Sequence, residues 1–276
     1  MKLLLLHGFS GRGVSWLEVI RHLHRIFPQP DRLQIEAPDL PGHGELSRVD
    51  DLPADFDATL DALAHRHLPP ADDADVHVVG YSLGGRLALG LAVRYRPLLA
   101  SLTLIGARPG MDDTDRESRA SKDSQSADEL RRDLESFVAR WQEQSIFDSQ
   151  KWLTDDVLER QRQIRLSHDR QGLAWALETL SPGRMPDWRP SLRSLDLPVN
   201  LVVGELDKTY VKLANEMALV LPRAHLHRVP DAGHNVPMEK PAAVAKLLAG
   251  LAPATAHASQ TAGHTHARQQ AGETLS

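Results

Sequence analysis

The stretch Val76–Gly85, VHVVGYSLGG, carries the strongest structural signal in the 276-residue chain. Its first half is a short apolar run rich in β-branched residues, which is typical of a buried strand. Its second half places Ser82 between Gly80 and Gly84, directly before an apolar stretch with helical spacing. Only glycines let a strand and a helix approach closely on either side of such a turn. The stretch therefore predicts a strand–turn–helix connection, the setting in which a G-x-S-x-G pattern presents a nucleophilic serine.

The alternation of strand and helix extends along the chain in both directions from this turn. Strand-like runs occur at Leu3–Leu6, Leu33–Ala37, Val76–Gly80, Leu102–Ile105, Val199–Gly204 and Ala224–Val229. Helix-like stretches occur at Val14–Phe27, Phe56–Leu68, Leu83–Tyr95 and Val211–Leu221. This alternation predicts an α/β fold with a mostly parallel sheet and helices on both of its faces.

One long segment, from about residue 108 to about residue 190, interrupts this alternation because it has no strand-like run. Helical patterns occur within it at Glu129–Trp141, Asp155–Leu166 and Leu173–Leu180. A segment of this length is unlike a plain loop, so we predict a helical lid inserted over the end of the sheet. Residues 252–276 have no periodicity and predict a disordered tail behind a single domain over residues 1–251.

The composition excludes several classes of protein. Apolar residues make up 41 % and charged residues 25 % of the chain, which is enough for a packed core. The net charge of −5 argues against a nucleic-acid-binding protein. No apolar run approaches the ~20 residues of a membrane-spanning helix, and no signal-peptide pattern opens the chain. The absence of cysteine excludes disulfides and thiolate metal sites and fits a cytoplasmic protein. We predict neither a metal ion nor an organic cofactor.

A serine hydroxyl is a weak nucleophile or base and needs a histidine, which in turn needs an acid to orient it. Of the 14 histidines, His234 follows the last strand-like run, where a loop would deliver a base to Ser82. Asp207 follows the preceding strand-like run and is the predicted acid. Glu205 is the alternative, because the two carboxylates lie two residues apart on one loop.

Developing negative charge needs two backbone N–H groups directed at it. Leu83, the residue after the serine, is expected to supply one. The loop after the first strand, His7-Gly8-Phe9-Ser10-Gly11, is expected to supply the other through the N–H of Phe9.

Arginine is unexpected next to such a serine. Arg86 lies four residues after Ser82, one helical turn on, in an otherwise small and apolar stretch. A guanidinium there is costly without an anion, which could be a protein carboxylate or a carboxylate of the substrate. The 108–190 segment adds further arginines, so a small polyanionic substrate fits better than a lipid ester.

Several short motifs together resemble one family of the α/β-hydrolase fold, the 2-succinyl-6-hydroxy-2,4-cyclohexadiene-1-carboxylate synthases of menaquinone biosynthesis. The resemblance spans roughly residues 3 to 250 and is carried by His7-Gly8-Phe9-Ser10-Gly11, Asp39-Leu40-Pro41-Gly42-His43-Gly44, Gly80-Tyr81-Ser82-Leu83-Gly84-Gly85-Arg86 and Gly233-His234-Asn235. The discriminating positions are Arg86, Pro109-Gly110, Arg119, Trp141 with Phe147, and Arg165-Leu166-Ser167.

The resemblance implies a carbon–oxygen lyase that eliminates pyruvate from 5-enolpyruvyl-6-hydroxy-2-succinyl-cyclohex-3-ene-1-carboxylate. It implies that Ser82 acts as a base through His234 and Asp207. It further implies that the substrate's three carboxylates are held by arginines and that aromatic side chains line the pocket. The implied substrate-binding residues are Tyr81, Arg86, Arg119, Trp141 and Arg165.

The chain departs from the family in three places. The family has residues, often two short strands, before its first His-Gly loop, so we expect those strands to be missing and Leu33–Ala37 to be a sheet edge. Ser118 stands where a glutamate is expected, and Pro237 stands where relatives often carry histidine. Two other functions stay open: an ester hydrolase with an anionic substrate that uses the same residues, and a non-catalytic binding protein of this fold.

Overall fold

A computed structural model describes residues 1–70 and 75–251. The sheet strands are β1 (Lys2–Leu6), β2 (Gln34–Glu36), β3 (Val76–Tyr81), β4 (Leu99–Ile105), β5 (Val199–Gly204) and β6 (Ala224–Val229). They form one sheet in the order β2-β1-β3-β4-β5-β6, and every neighbouring pair is parallel. The predicted α/β architecture is confirmed, with all of the described strands parallel.

Helices cover both faces of this sheet. The helices are α1 (Leu17–Ile26), α2 (Phe56–His67), α3 (Leu83–Arg94), α4 (Asp113–Arg132), α5 (Leu134–Gln142), α6 (Asp155–Leu166), α7 (Arg170–Thr179), α8 (Lys208–Ala218), α9 (Val236–Glu239) and α10 (Pro241–Ala249). Within the residues that the structure describes, no helix has both the length and the hydropathy needed to cross a bilayer.

Alternation along β1 divides the core into two apolar layers, because successive side chains of a strand point to opposite faces. Leu4 and Leu6 pack with side chains of α2 and α3 on one face. Leu3 and Leu5 pack with side chains of α1 and α10 on the other. All four leucines are buried, as expected for a parallel strand that is covered on both sides.

The strand β2 lies at one edge of the described sheet, as the sequence predicts for Leu33–Ala37. It is only three residues long and pairs with β1 alone. The side chain of its last residue, Glu36, contacts His67 of α2 and lies 3.6 Å from Nζ of Lys2. A short edge strand with a charged side chain is a weak template for pairing with a second sheet.

Four helices, α4 to α7, fill the segment between β4 and β5. The predicted helix over Asp155–Leu166 is confirmed as α6, with the same first and last residues. The prediction of one helix over Glu129–Trp141 is wrong, because this stretch is divided between α4 and α5. The backbone is extended at Asp133, which separates the two helices. The carboxylate of Asp133 caps α5 by accepting a hydrogen bond from the N–H of Ser136. The first part of α4 has almost no apolar residues, so it gives no periodic signal. The predicted tail, 252–276, lies outside the described residues.

The turn from β3 to α3 is tight and strained. Ser82 has a φ of 52°, a left-handed conformation that non-glycine residues rarely adopt. A Cβ on Gly84 would lie 2.2 Å from the carbonyl oxygen of Leu6, so α3 can approach β1 only because this residue is glycine. The carbonyl oxygen of His7 accepts a hydrogen bond from the N–H of Gly84 at 3.0 Å and holds the loop after β1 against the turn.

Replacing Gly84 with alanine is expected to destabilise the fold strongly. The added methyl group meets backbone atoms that cannot rotate away, so we expect a loss of about 3 kcal/mol in the free energy of unfolding. Chemical denaturation of the variant and of the unsubstituted protein measures this loss. Gly250→Ala is the control, because a Cβ there meets no atom closer than 3.3 Å. Equal stability of the two variants would contradict the close approach described above.

Candidate active site

Three loops at the carboxyl ends of strands bring Ser82, His234 and Asp207 together. Nε2 of His234 lies 3.0 Å from Oγ of Ser82, and its Nδ1 lies 2.7 Å from Oδ2 of Asp207. The carboxylate accepts a hydrogen bond from Nδ1–H, which leaves Nε2 unprotonated and able to accept the proton of the serine hydroxyl. The side chains of His234 and Asp207 are only 4 % and 7 % exposed, so water competes little for these contacts.

The structure distinguishes the two carboxylates between which the sequence left a choice. Asp207 makes the hydrogen bond to His234, whereas Glu205 is exposed to solvent. The second carboxylate oxygen of Asp207 accepts from the N–H of Tyr210 at 3.2 Å and caps α8. One carboxylate oxygen of Asp207 is therefore held by the N–H of Tyr210, and the other is held by His234.

Two residues that hold His234 were not found by sequence reasoning. Glu239 accepts hydrogen bonds from the N–H groups of Gly233 and Asn235, at 2.6 and 3.0 Å, and so fixes the loop on both sides of the histidine. Tyr210 packs against the imidazole, with ring centres 4.5 Å apart and ring planes at 46°. Both contacts depend on how the loops fold, and the only sequence signal is proximity to the predicted acid and base.

The backbone N–H groups of Phe9 and Leu83 are the predicted donors to negative charge. Neither donates a hydrogen bond to any acceptor in the part of the chain that the structure describes. Both residues line the same cavity as Ser82 and His234. Two unengaged donors beside a serine–histidine pair are what an oxyanion needs.

A cavity of about 120 Å³ opens above Ser82 and His234. The predicted site residues that line it are Phe9, Tyr81, Ser82, Leu83, Arg86, Arg119, Trp141 and His234. Its outer wall comes from the helical segment between β4 and β5 and includes Phe147, Leu177, Leu180 and Ser181, none of which was predicted as a site residue. The wall of the cavity is therefore mixed: apolar and aromatic surfaces surround two guanidinium groups.

Arg86 is the more deeply buried of these two arginines. It is 7 % exposed, and its guanidinium donates to the carbonyl oxygen of Leu180 at 2.5 Å. No described carboxylate lies within ion-pairing distance of it, so the protein-carboxylate alternative finds no support in this part of the chain. Burial lowers the pKa of Arg86 to about 10, and nearby positive charges contribute. The group stays cationic at neutral pH and has no carboxylate partner among residues 1–70 and 75–251.

Arg119 reaches the cavity from α4 but already has a partner. Its Nε donates to Oδ2 of Asp123 at 2.8 Å, and the same oxygen accepts from the hydroxyl of Ser181 at 2.6 Å. This pairing holds the guanidinium in one orientation while its terminal nitrogens make no hydrogen bond with a described residue. Arg119 therefore combines a fixed position with free donors.

Arg165 lies in a different place from the other two predicted arginines. It lines an adjoining cavity of about 580 Å³, which is bounded by Phe9 and Tyr81 on the side of Ser82. The residue is 3 % exposed, and its guanidinium lies 5.2 Å from the ring centre of Phe147. Burial lowers its pKa to about 10. The structure thus brings Arg86 and Arg119 to the Ser82 cavity and leaves Arg165 in the adjoining cavity.

Three buried histidines, His7, His43 and His168, support the loop that carries Phe9. Nε2 of His7 accepts from the N–H of Leu40 at 2.9 Å, and its Nδ1 donates to the carbonyl oxygen of Gly8 at 2.8 Å. The other two rings likewise each bridge a backbone N–H and a backbone carbonyl. Every ring nitrogen then has a partner only in the neutral form of the imidazole.

Because these three histidines are buried in their neutral form, we expect the free energy of unfolding to fall in mild acid. Burial lowers the pKa of His7 to about 4 and also lowers the pKa values of His43 and His168. Asp39 and Arg12 are the nearby charges for His7 and His168, and the other two imidazoles are those for His43. As the pH falls below the ordinary value of about 6.5, the unfolded chain binds protons first, so folding weakens between pH 6.5 and 4. We expect His7 alone to cost about 2 kcal/mol at pH 5.

Denaturation at pH 7 and pH 5 measures this loss. His7→Gln should be less sensitive to acid than the unsubstituted protein by about the same 2 kcal/mol. His24→Gln, at an exposed position on α1, should not change the sensitivity. Equal losses in all three proteins would show that the His7 imidazole does not carry the effect.

The chain order serine, aspartate, histidine, with each residue at the carboxyl end of a parallel strand, defines the α/β-hydrolase class. Residues 3–247 match the alpha/beta hydrolase family. A 2-succinyl-6-hydroxy-2,4-cyclohexadiene-1-carboxylate synthase from Enterobacter sp. (strain 638) is 35 % identical over 251 residues, which is 90 % of each chain. The present chain belongs to this family of synthases within the α/β hydrolases.

Solved structures agree with this assignment. The structure of MenH from S. aureus superposes with a TM-score of 0.82 at 27 % identity and covers 91 % of this chain and 92 % of that one. A thermophilic esterase from Thermogutta terrifontis, solved with malate bound, gives a TM-score of 0.74 at 28 % identity, with 90 % and 88 % covered. The fold is therefore shared by MenH and by an esterase, so the residues of the site have to distinguish the two activities.

Proposed function

We propose that this chain is the lyase of menaquinone biosynthesis that converts 5-enolpyruvyl-6-hydroxy-2-succinyl-cyclohex-3-ene-1-carboxylate into 2-succinyl-6-hydroxy-2,4-cyclohexadiene-1-carboxylate and pyruvate. The observation that carries the proposal is the pair of arginines, Arg86 and Arg119, in the same cavity as Ser82 and His234. A cavity for neutral esters has no need of a buried guanidinium that lacks an anion.

The reaction follows from the acidity of one ring hydrogen. The hydrogen on C2 lies between the succinyl ketone and the C3–C4 double bond, so its removal gives a delocalised enolate. The electron pair then forms the C2–C3 double bond, the C3–C4 double bond moves to C4–C5, and the C5–oxygen bond breaks. The leaving group departs as enolpyruvate, which takes up a proton to become pyruvate.

The three hydrogen-bonded residues supply the base for this step. Oγ of Ser82 takes the C2 proton while Nε2 of His234, 3.0 Å away, accepts the proton of the hydroxyl. Asp207 keeps the imidazole in the required tautomer and stabilises its positive charge. No bond between serine and substrate is needed, because the bond that breaks is a carbon–oxygen bond of an ether and not of an ester.

The N–H groups of Phe9 and Leu83 stabilise the enolate oxygen of the succinyl ketone. Charge builds up on this oxygen as the proton leaves, so donors already held in place lower the barrier without rearranging. The hydrogen bond from Gly84 to His7 ties together the two loops that carry these donors. Their spacing is therefore set before the substrate binds.

The arginines orient a substrate that has three carboxylates. Arg86 offers free guanidinium donors close to the serine, and Arg119 offers a group held in place by Asp123. Bidentate guanidinium–carboxylate contacts fix both the position and the plane of the ligand. Tyr81 and Trp141 line the cavity beside them and limit how the ring can sit.

The Ser82 cavity is small for a substrate of this size. Pockets for ligands of this size usually measure ~300–1,000 Å³, whereas this cavity measures about 120 Å³. Much of its outer wall comes from Trp141, Phe147 and Leu180. We therefore propose that the segment acts as a lid, opening to admit the substrate and closing over it.

An ester hydrolase is the alternative reaction, and the likeness to the malate-bound esterase is the observation behind it. Ser82 would then attack a carbonyl carbon and form an acyl-enzyme, which water would cleave with help from His234. The same two backbone N–H groups would serve the tetrahedral intermediate. The buried arginines argue for an anionic substrate in this case too, so substrate charge alone does not separate the two reactions.

Incubation of the purified protein with the enolpyruvyl substrate tests the proposal. Pyruvate, followed with lactate dehydrogenase and NADH, should appear in a one-to-one ratio with the conjugated cyclohexadiene, followed by its ultraviolet absorbance. Release of pyruvate at the uncatalysed rate would refute the proposed function.

A further inference from the structure

The hydroxyl of Tyr210 is a hydrogen-bond donor in the wall of the Ser82 cavity. Tyr210 is the third residue of α8 and lines the cavity together with Ser82 and His234. Its ring packs against the imidazole of His234, and its backbone N–H donates to the carboxylate of Asp207. The residue is therefore fixed at its ring and at its backbone. Its hydroxyl, by contrast, makes no hydrogen bond within residues 1–70 and 75–251.

Cationic side chains surround this hydroxyl. Burial raises the pKa of the Tyr210 phenol, and Asp207 adds to the rise. The guanidinium groups of Arg108, Arg86 and Arg119 act in the opposite direction. Because Arg86 and Arg119 line the Ser82 cavity, the hydroxyl lies on the arginine side of that cavity. The phenol keeps its proton at neutral pH, and an acceptor atom on a ligand would satisfy a buried donor that is costly to leave unpaired.

The enolpyruvyl group of the substrate would bring such an acceptor to this side of the cavity. One carbon of that group carries both the ether oxygen and a carboxylate, so a guanidinium that holds the carboxylate also brings the ether oxygen close. The guanidinium groups are then occupied by carboxylates. The hydroxyl of Ser181, which also lines the cavity, is engaged with Asp123. The hydroxyl of Tyr210 stays available for the ether oxygen.

We propose that Tyr210 is a catalytic residue of the elimination and that its hydroxyl donates a hydrogen bond to the ether oxygen of the leaving group. This role rests on the proposed function. When the C5–oxygen bond breaks, its electron pair goes to the oxygen, and the hydrogen bond strengthens as negative charge builds up there. The phenol keeps its proton. The proton that converts enolpyruvate into pyruvate balances the one removed from C2, so no further reactant is needed.

Tyr210→Phe tests this role, because it keeps the ring against His234 and removes only the hydroxyl. We expect kcat for pyruvate release to fall at least 10-fold and KM to stay within 2-fold, since the contact is strongest in the transition state. Tyr95→Phe is the matched control. Its hydroxyl donates to Asp61 at the protein surface, so its kcat should stay within 2-fold of that of the unsubstituted protein.

Two kinetic results would overturn the role. A folded Tyr210→Phe with kcat within 2-fold of the unsubstituted value would show that the hydroxyl does not act on the leaving group. A raised KM with an unchanged kcat would show that it binds the substrate equally well before and during the reaction.

The pH profile separates a direct contact with the substrate from an effect through His234. At low pH, kcat/KM falls as the base is protonated. If the hydroxyl contacts the leaving group, this fall should occur in Tyr210→Phe within about 0.3 pH units of its position in the unsubstituted protein. A larger displacement would mean that the hydroxyl acts through the imidazole and would overturn the direct contact.

Failure of the proposed function gives a different result from failure of this role. If the unsubstituted protein releases no pyruvate, the function and the role of Tyr210 are both refuted. If the unsubstituted protein, Tyr95→Phe and Tyr210→Phe all release pyruvate with the same kcat, the function stands and the role of Tyr210 alone is refuted.

Discussion

Ser82→Ala is expected to lower kcat for pyruvate release by about 10³-fold or more. A positioned acid or base contributes ~10²–10⁴-fold, and loss of one member of a hydrogen-bonded triad disables the others. The hydroxyl contacts Nε2 of His234 directly, so no other described side chain can take its place at 3.0 Å from the imidazole. The fold should be unaffected, because alanine needs no more space than serine.

The control for this variant is Ser194→Ala. Ser194 is exposed, and its hydroxyl donates only to the carbonyl oxygen of Ser191. Its kcat should stay within 2-fold of that of the unsubstituted protein. If a folded Ser82→Ala kept more than a tenth of the original kcat, the base would have to be another group.

Arg86→Met is expected to lower kcat/KM for the tricarboxylate by about 10- to 150-fold. A hydrogen bond to a charged group is worth ~1.5–3 kcal/mol, and this range converts to the expected loss. Methionine keeps an unbranched side chain in the cavity and removes the charge. Hydrolysis of a neutral ester such as p-nitrophenyl acetate, where the protein catalyses it, should change by less than 3-fold.

The two substrates together identify what Arg86 does. Equal losses with the tricarboxylate and the neutral ester would mean that Arg86 shapes the cavity and does not bind a carboxylate. Arg184→Met, at an exposed position, is the matched control and should leave both activities unchanged. A selective loss only in Arg86→Met supports recognition of the substrate's charge.

The parts of the fold that could be predicted are those with a strong local pattern. The apolar runs of β1, β3 and β5 and the apolar stretch of α3 are visible in the sequence because burial on both faces of a parallel sheet leaves few polar positions there. The helix α4 could not be predicted, since its residues are mostly polar and it is held by packing against α7. The break at Asp133 depends on a single capping side chain.

The residues of the candidate site also fall into those that a sequence pattern predicts and those that it does not. Ser82, Asp207 and His234 could be located because each follows a strand, and parallel strands deliver their ends to one edge of the sheet. Glu239 and Tyr210 could not, because their roles depend on loop geometry that no short motif encodes. The position of Arg165 depends on how α6 packs over the domain, which also no motif encodes. The choice of substrate and a cytoplasmic location stay predictions.

The central claim is that Ser82, His234 and Asp207 remove a proton and do not form an acyl-enzyme. The most direct test assays one purified sample with two substrates, the enolpyruvyl tricarboxylate and p-nitrophenyl acetate. We predict rapid release of pyruvate, with a kcat/KM at least 10³-fold above that for p-nitrophenol release. Rapid ester hydrolysis with the tricarboxylate left unchanged would contradict the account and identify the chain as an esterase.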